Sequence, residues 1–208
     1  MPQTGSYYHS WGKRTMDLAV ALFALFLLSP LLIVVVIAVL ATLGRPVLFR
    51  QQRPGLDGKP FWIFKFRTMI ESRAANGKLL PDQERLHPVG RILRKLSLDE
   101  VPELINVVRG EMSLVGPRPL LMSYIERYSP EQMRRHDAVP GITGWAQVNG
   151  RNTLAWQEKF DLDLWYVDHV SLSLDIRILL KTLMLVVTGQ GISAPGHATM
   201  PQFKGDDT

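Results

Sequence analysis

Residues 18–44 read LAVALFALFLLSPLLIVVVIAVLATLG, with no charged side chain from end to end. As a straight helix this run would extend about 40 Å, more than a hydrocarbon core of about 30 Å requires. Ser29-Pro30, near its middle, argues against a plain crossing. Proline removes a backbone donor and collides with the carbonyl four residues back, so a kink or break is expected there. Each half, Leu18 to Leu28 and Leu31 to Leu43, reaches only about 17–20 Å at helical rise, too short to span alone. Lys13 and Arg14 precede the run while Arg45, Arg50 and Arg53 follow it, and positive flanks favour the cytoplasmic side. Both ends are therefore expected on one face, with the segment re-entrant and the Ser29 hydroxyl placed to bond a carbonyl freed by Pro30. A kinked span and a cleaved signal peptide are the alternatives, the latter against an apolar run that continues well past a normal h-region.

Around this segment, the 208 residues are 46% hydrophobic and carry 24 Lys and Arg against 19 Asp and Glu, a net charge of +5. That size suits one domain with a membrane element, and the basic balance points to anionic partners: phosphates, acidic lipid or nucleic acid. Cysteine is absent, which excludes disulfide scaffolds, thiolate zinc sites and cysteine nucleophiles; the five His lack metal-ligand spacing. From Arg45 to Ile70 the basic residues Arg45, Arg50, Arg53, Lys59, Lys65 and Arg67 face a single acid, Asp57. Anions should collect there, or the stretch is a lipid-headgroup face. Pro54-Gly55 and Asp57-Gly58 mark a turn before the strand-like Phe61 to Phe66, so a hairpin is expected. Residues 74–84 read as a loop. Helical patterns cover 88–96, 100–108 with Gly110 as stop, about 120–128, 154–167 and 174–187, and 139–152 reads as turns around a short strand. Arg177 and Lys181 interrupt the last helix, which suits either a core helix or one at a membrane interface.

Ser97-Leu98-Asp99-Glu100-Val101-Pro102-Glu103 opens a helix, and its plain reading is a cap: Ser97 and Glu100 have capping-box spacing, Pro102 fits a first turn, and Asp99 is an alternative cap. Its cationic company argues for more. Arg91, Arg94 and Lys95 come just before, and in Gly116-Pro117-Arg118-Pro119 two prolines fix the backbone around an arginine whose planar fork suits phosphate. Pro140 to Gly144 and Gln147 to Asn152 read as turns, or as loops that bring backbone N–H groups to an anion. No Walker A pattern and no G-x-G-x-x-G occurs. Asp161-Leu162-Asp163 is the spacing of a pair that holds a divalent cation on a nucleotide diphosphate, or of two solvated helix acids.

Taken in order, Lys13-Arg14-x-x-Asp17, Ser29-Pro30, Lys65 to Met69, Leu96 to Pro102, Gly116 to Pro119, Pro140 to Gly144 and Ala146 to Asn152 resemble the small monotopic phosphoglycosyl transferases of bacteria. The resemblance covers the chain from about residue 12 onward. It implies an enzyme at the cytoplasmic face of the bacterial inner membrane that moves a sugar 1-phosphate from a UDP-sugar to undecaprenyl phosphate and releases UMP. This would be the first membrane step of glycan assembly, with glycosyltransferases downstream and no nucleic acid involved. It also implies Asp99 as the nucleophile that carries a covalent phosphosugar, Glu100 as its partner, Mg2+ at Asp99, and a re-entrant helix broken at Ser29-Pro30 in the bilayer. Lys65, Arg118 and Arg151 suit the donor's diphosphate, Arg94 the lipid phosphate, and Gln147 and Asn149 the uracil, sugar or phosphate. Asp99, near a helix start and several arginines, is expected to be ionised at neutral pH. The tail Gly191 to Met200 is similar to that of members handling acetamido sugars such as N,N′-diacetylbacillosamine.

The expected fold class is α+β, mainly helical with a small β-hairpin or sheet. Its parts are 1–44, the N-terminal segment and re-entrant membrane helix; 45–188, the catalytic domain; and 189–208, an extended tail. Two other classes compete: a metal-dependent glycosyltransferase using Asp161 and Asp163, which would release UDP, and a non-enzymatic basic membrane module binding acidic lipid or nucleic acid through Arg45 to Arg67.

Overall fold

The computed structural model describes residues 11–74, 76–150, 153–188, 202, 203 and 205. The apolar run forms most of α1 (Lys13–Leu43), followed by the antiparallel hairpin β1 (Leu48–Pro54) and β2 (Pro60–Phe66). Next come α2 (Asp82–Arg85), α3 (Pro88–Lys95), a 3-10 turn Leu98–Glu100 and α4 (Glu103–Arg109). β3 (Ser113–Val115) pairs in parallel with β4 (Gly141–Thr143), and α5 (Pro130–Met133) lies between them in sequence. The chain then forms α6 (Trp145–Val148), α7 (Trp156–Asp168) and α8 (Leu172–Thr188). Helices thus dominate over two small sheets, as expected. The stretch 120–128 differs: it is a 3-10 turn, Met122–Arg127, preceded by Leu121 in extended backbone. The tail 189–208 lies almost wholly outside the described residues.

Helical backbone runs through α1 without interruption, so the break expected at Ser29-Pro30 is not shown as a change of secondary structure. The local chemistry of the proline is nonetheless present. Its missing N–H leaves the Phe26 carbonyl without a helical partner, and the Ser29 hydroxyl donates to that carbonyl at 2.8 Å. The two halves of α1 also meet different cores. Ala21, Ala24 and Leu25 pack with Phe61, Ile63, Val107, Leu114 and Ile178, whereas Val35, Val39 and Leu43 pack with Phe66 and Leu93. Polar contacts fix the first half: the Leu114 N–H donates to Asp17 Oδ1 at 3.1 Å, Lys13 pairs with the buried Asp175, and Arg14 donates to the Val107 and Val108 carbonyls at the end of α4. Away from these contacts α1 is bare, with Phe23 65% and Phe26 80% exposed. A helix this apolar, with so little of it covered, is by length and composition able to cross a membrane and is consistent with a membrane location.

Candidate active site

Buried Asn106 on α4 fixes the hairpin against the domain: its side-chain amide donates to the Trp62 carbonyl at 2.7 Å, and its Oδ1 accepts from the Phe64 N–H at 3.2 Å. This places Lys65 of β2 over the start of α4. Ser97 ends the turn after α3 in left-handed backbone, at φ 54°, and makes no side-chain cap. The capping box expected of Ser97 and Glu100 is therefore not formed. The turn instead sends the Asp99 side chain inward and Glu100 towards Lys65 and Arg118. Left-handed backbone at a non-glycine residue costs on the order of 1–2 kcal/mol, strain of the kind that collects at functional sites.

Glu100 is fully engaged. Its Oε1 accepts from Lys65 Nζ at 2.6 Å and from Arg118, and its Oε2 lies 3.4 Å from Arg118 Nη1. Burial opposes its charge, but Arg118 and Lys65 outweigh burial and hold its carboxyl far below the usual carboxylate range. Glu100 in turn raises Arg118, and Glu100 with Glu103 raises Lys65 against the cost of its own burial. Asp99, one residue earlier, is different. It is buried, yet among the described residues nothing donates a hydrogen bond to its carboxylate. Burial and the Glu100 charge push its carboxyl up, and Lys65, Arg94 and Arg118 work in the other direction. The cations expected to favour the Asp99 carboxylate do act on it, but they are bound largely to Glu100, and burial outweighs them in direction.

The remaining predicted residues divide. Arg94 of α3 belongs to the cluster, since its charge acts on Asp99 and its Nε donates to Thr68 Oγ1 at 3.1 Å. A Cβ on Gly90 would sit 2.0 Å from the Thr68 carbonyl oxygen, so only glycine lets α3 approach closely enough for that bond. Gln147 joins indirectly, donating to the Ile142 carbonyl at 2.8 Å, the same oxygen that Arg118 Nη1 approaches at 3.4 Å. Asn149 turns away, accepting from Lys181 at 3.2 Å and donating to the Trp145 carbonyl. Arg151 lies outside the described residues. Asp161 and Asp163 do not converge: Asp163 is buried in an ion pair with Arg135 at 2.6 Å, whereas Asp161 is exposed and accepts from Gln157. That Arg135 also donates to the Arg118 carbonyl at 2.8 Å, so Asp163 supports Arg118 from behind rather than holding a metal.

Sequence reasoning missed Glu103. It is 1% exposed, its Oε1 lies 3.1 Å from Lys65 Nζ, and burial pushes its carboxyl up to about 7. Its place in the quoted motif, four positions after Asp99, was the available signal, since residues four apart share a helix face. Among the described residues no three acids or imidazoles form a ready metal cage. The uncommitted carboxylate of Asp99 is a hard oxygen donor that fits magnesium in its usual protein mode, one or two carboxylates completed by water and substrate phosphates.

A family described as bacterial sugar transferase matches residues 8–189. A Bacillus subtilis protein named "Uncharacterized sugar transferase EpsL" is 51% identical over 193 residues, covering 93% of this chain and 96% of its own length. The UDP-glucose:undecaprenyl-phosphate glucose-1-phosphate transferase of Escherichia coli is 41% identical over 181 residues, 82% of this chain and 39% of its own. An Aeromonas hydrophila protein named UDP-N-acetylgalactosamine-undecaprenyl-phosphate N-acetylgalactosaminephosphotransferase is 37% identical over 187 residues, 86% of this chain and 44% of its own. The chain spans under half the length of these last two relatives.

Proposed function

Because the chain belongs to the bacterial sugar transferase family, we propose that it transfers a sugar 1-phosphate from a UDP-sugar to undecaprenyl phosphate at the cytoplasmic face of the bacterial inner membrane. The observation that carries this reading is the contrast between neighbours: Glu100 is saturated by Lys65 and Arg118, and Asp99 keeps free oxygens amid the same positive charge. A nucleophile needs an available lone pair, and an anionic target needs cations around it.

In the first step an Asp99 oxygen attacks the sugar-linked phosphorus; the bond to the bridging oxygen breaks, and UMP leaves with that electron pair. In the second, a phosphate oxygen of undecaprenyl phosphate attacks the same phosphorus and the acyl phosphate bond breaks, restoring the Asp99 carboxylate. Arg118 and Lys65, held in place by Glu100, offset the charge of the diphosphate, and Arg94 receives the lipid phosphate. Bound magnesium supplies charge neutralisation on the diphosphate. The apolar run of α1 is re-entrant, with Ser29 relieving the carbonyl that Pro30 leaves free. The sugar is an acetamido sugar, N,N′-diacetylbacillosamine or a related one, a reading that rests on the tail 191–200 and on the N-acetylgalactosamine named for one relative.

The covalent step is tested by intact-mass measurement after quenching with UDP-sugar alone. An adduct of one sugar phosphate should appear on the unmodified chain and be absent from Asp99→Asn; turnover by Asp99→Asn at the parent rate would overturn the mechanism.

A further inference from the structure

Transfer as proposed above brings two anions to one centre, a soluble nucleotide and a lipid phosphate. Lys65 and Arg118 are bound to carboxylates, and Arg94 sits beside Asp99 with Thr68 as its partner. Arg53 on β1 is a further cation that the reaction has not used. In the hairpin register Arg53 opposes Phe61 and Phe49 opposes Lys65, so Arg53 and Lys65 stand on the same face of the sheet. Among the described residues no carboxylate pairs with Arg53. Its Nη2 donates to Gln51 Oε1 at 2.7 Å, and its Nε is buried with no acceptor. Burial first, and the charge of Arg118 second, lower this guanidinium to about 10. Two cations that repel each other, one of them with a buried donor unmet, are arranged as a receptor lacking its anion.

Position separates Arg53 from Arg94. Leu48 and Phe66, at one end of the hairpin, pack on Val35, Val39 and Leu43 of α1. Arg94 stands at that end, on the helix whose Leu93 belongs to the same cluster. Arg53 is five residues along β1 from Leu48, roughly 17 Å towards the hairpin turn, which sets it apart from Arg94 at the other end of the hairpin.

We propose that Arg53, with Arg118, binds the phosphate that departs with the nucleoside, which makes it a donor-side binding residue opposite Arg94 on the acceptor side. This rests on the transfer reading, and binding of the product tests the two separately. UMP is titrated calorimetrically, in magnesium buffer, into the detergent-solubilised full chain. Arg53→Gln should weaken UMP by about tenfold or more, and Arg53→Lys by less, because the ammonium keeps charge without the planar fork. The KM for undecaprenyl phosphate should stay within about twofold in both variants, and Arg94→Gln should show the reverse pattern. UMP affinity equal to the parent's in Arg53→Gln overturns the assignment and leaves the transfer reading standing. A parallel loss for both ligands, with a lowered melting temperature, also overturns it, because that is the signature of a structural arginine. If Arg53→Gln does not fold, Arg53→Lys carries the same comparison. A parent chain that binds UDP and not UMP contradicts the transfer reading itself.

Discussion

Asp99 and Glu100 are the same kind of group one residue apart, and the left-handed turn at Ser97 gives them different work. Glu100 orders two cations, so Glu100→Gln should loosen Lys65 and Arg118 and lower kcat on the order of 10²-fold without removing the covalent adduct. Loss of the adduct in that variant would make Glu100 more than a positioning residue. Glu103 gives a pH prediction. Its carboxyl rises from the ordinary 4.5 to about 7, so the folded state favours the protonated form. The stability this confers is complete below about 4.5 and is lost as pH climbs through about 7. Glu103→Gln should therefore flatten the fall in melting temperature across that window; an unchanged slope would contradict the burial argument. Little of this network was legible from the sequence. Glu100 had capping-box spacing with Ser97, and nothing local announced that its partners lie 35 and 18 positions away on other elements. Asp99 itself was singled out by the ordered motif series, whereas its raised carboxyl depends on burial, which no tetrapeptide records.

At the scale of elements, local signals translated well and distant ones did not. The turn residues from Pro54 to Gly58 and the apolar Phe61 to Phe66 gave the hairpin, and Gly110 stops α4 in left-handed backbone at φ 83°. The Ser29 bond to Phe26 was readable because it closes within three residues. By contrast, Asp161-Leu162-Asp163 read as two solvated helix acids or as a metal pair, and neither reading announced that α7 turns one acid inward to Arg135. Asp163→Ala should leave that guanidinium buried and unpaired, at a cost of about 3–5 kcal/mol in thermal or denaturant unfolding, whereas Asp161→Ala should be near neutral. A larger effect from Asp161 would revive the metal reading. The first half of α1 is tied down through Asp17, so Asp17→Ala, which strands the buried Leu114 N–H, should cost about 1–3 kcal/mol in detergent. For the re-entrant reading, the absence of native cysteine allows single cysteines at Trp11 and Arg45 to be labelled from each side of sealed vesicles. Both should react from the same side; opposite sides would establish a span.

Over the whole molecule, a bare apolar helix lies beside a cationic cluster, which suits a site that takes one substrate from water and another from lipid. Each large apolar side chain moved from water into lipid is worth about 1.5–3 kcal/mol, so serine at Phe23, Phe26 and Ile33 together should sharply reduce flotation with vesicles. Retention of full flotation would place the membrane contact elsewhere. The central claim is the bond that breaks: between the two phosphates, or between sugar and phosphate. The direct measurement is the nucleotide released when the detergent-solubilised chain meets magnesium, undecaprenyl phosphate and a panel of UDP-sugars. UMP, appearing with one acetamido sugar and abolished in Asp99→Asn, is the predicted result. UDP would contradict the account, because sugar transfer without its phosphate leaves Asp99 no phosphorus to attack.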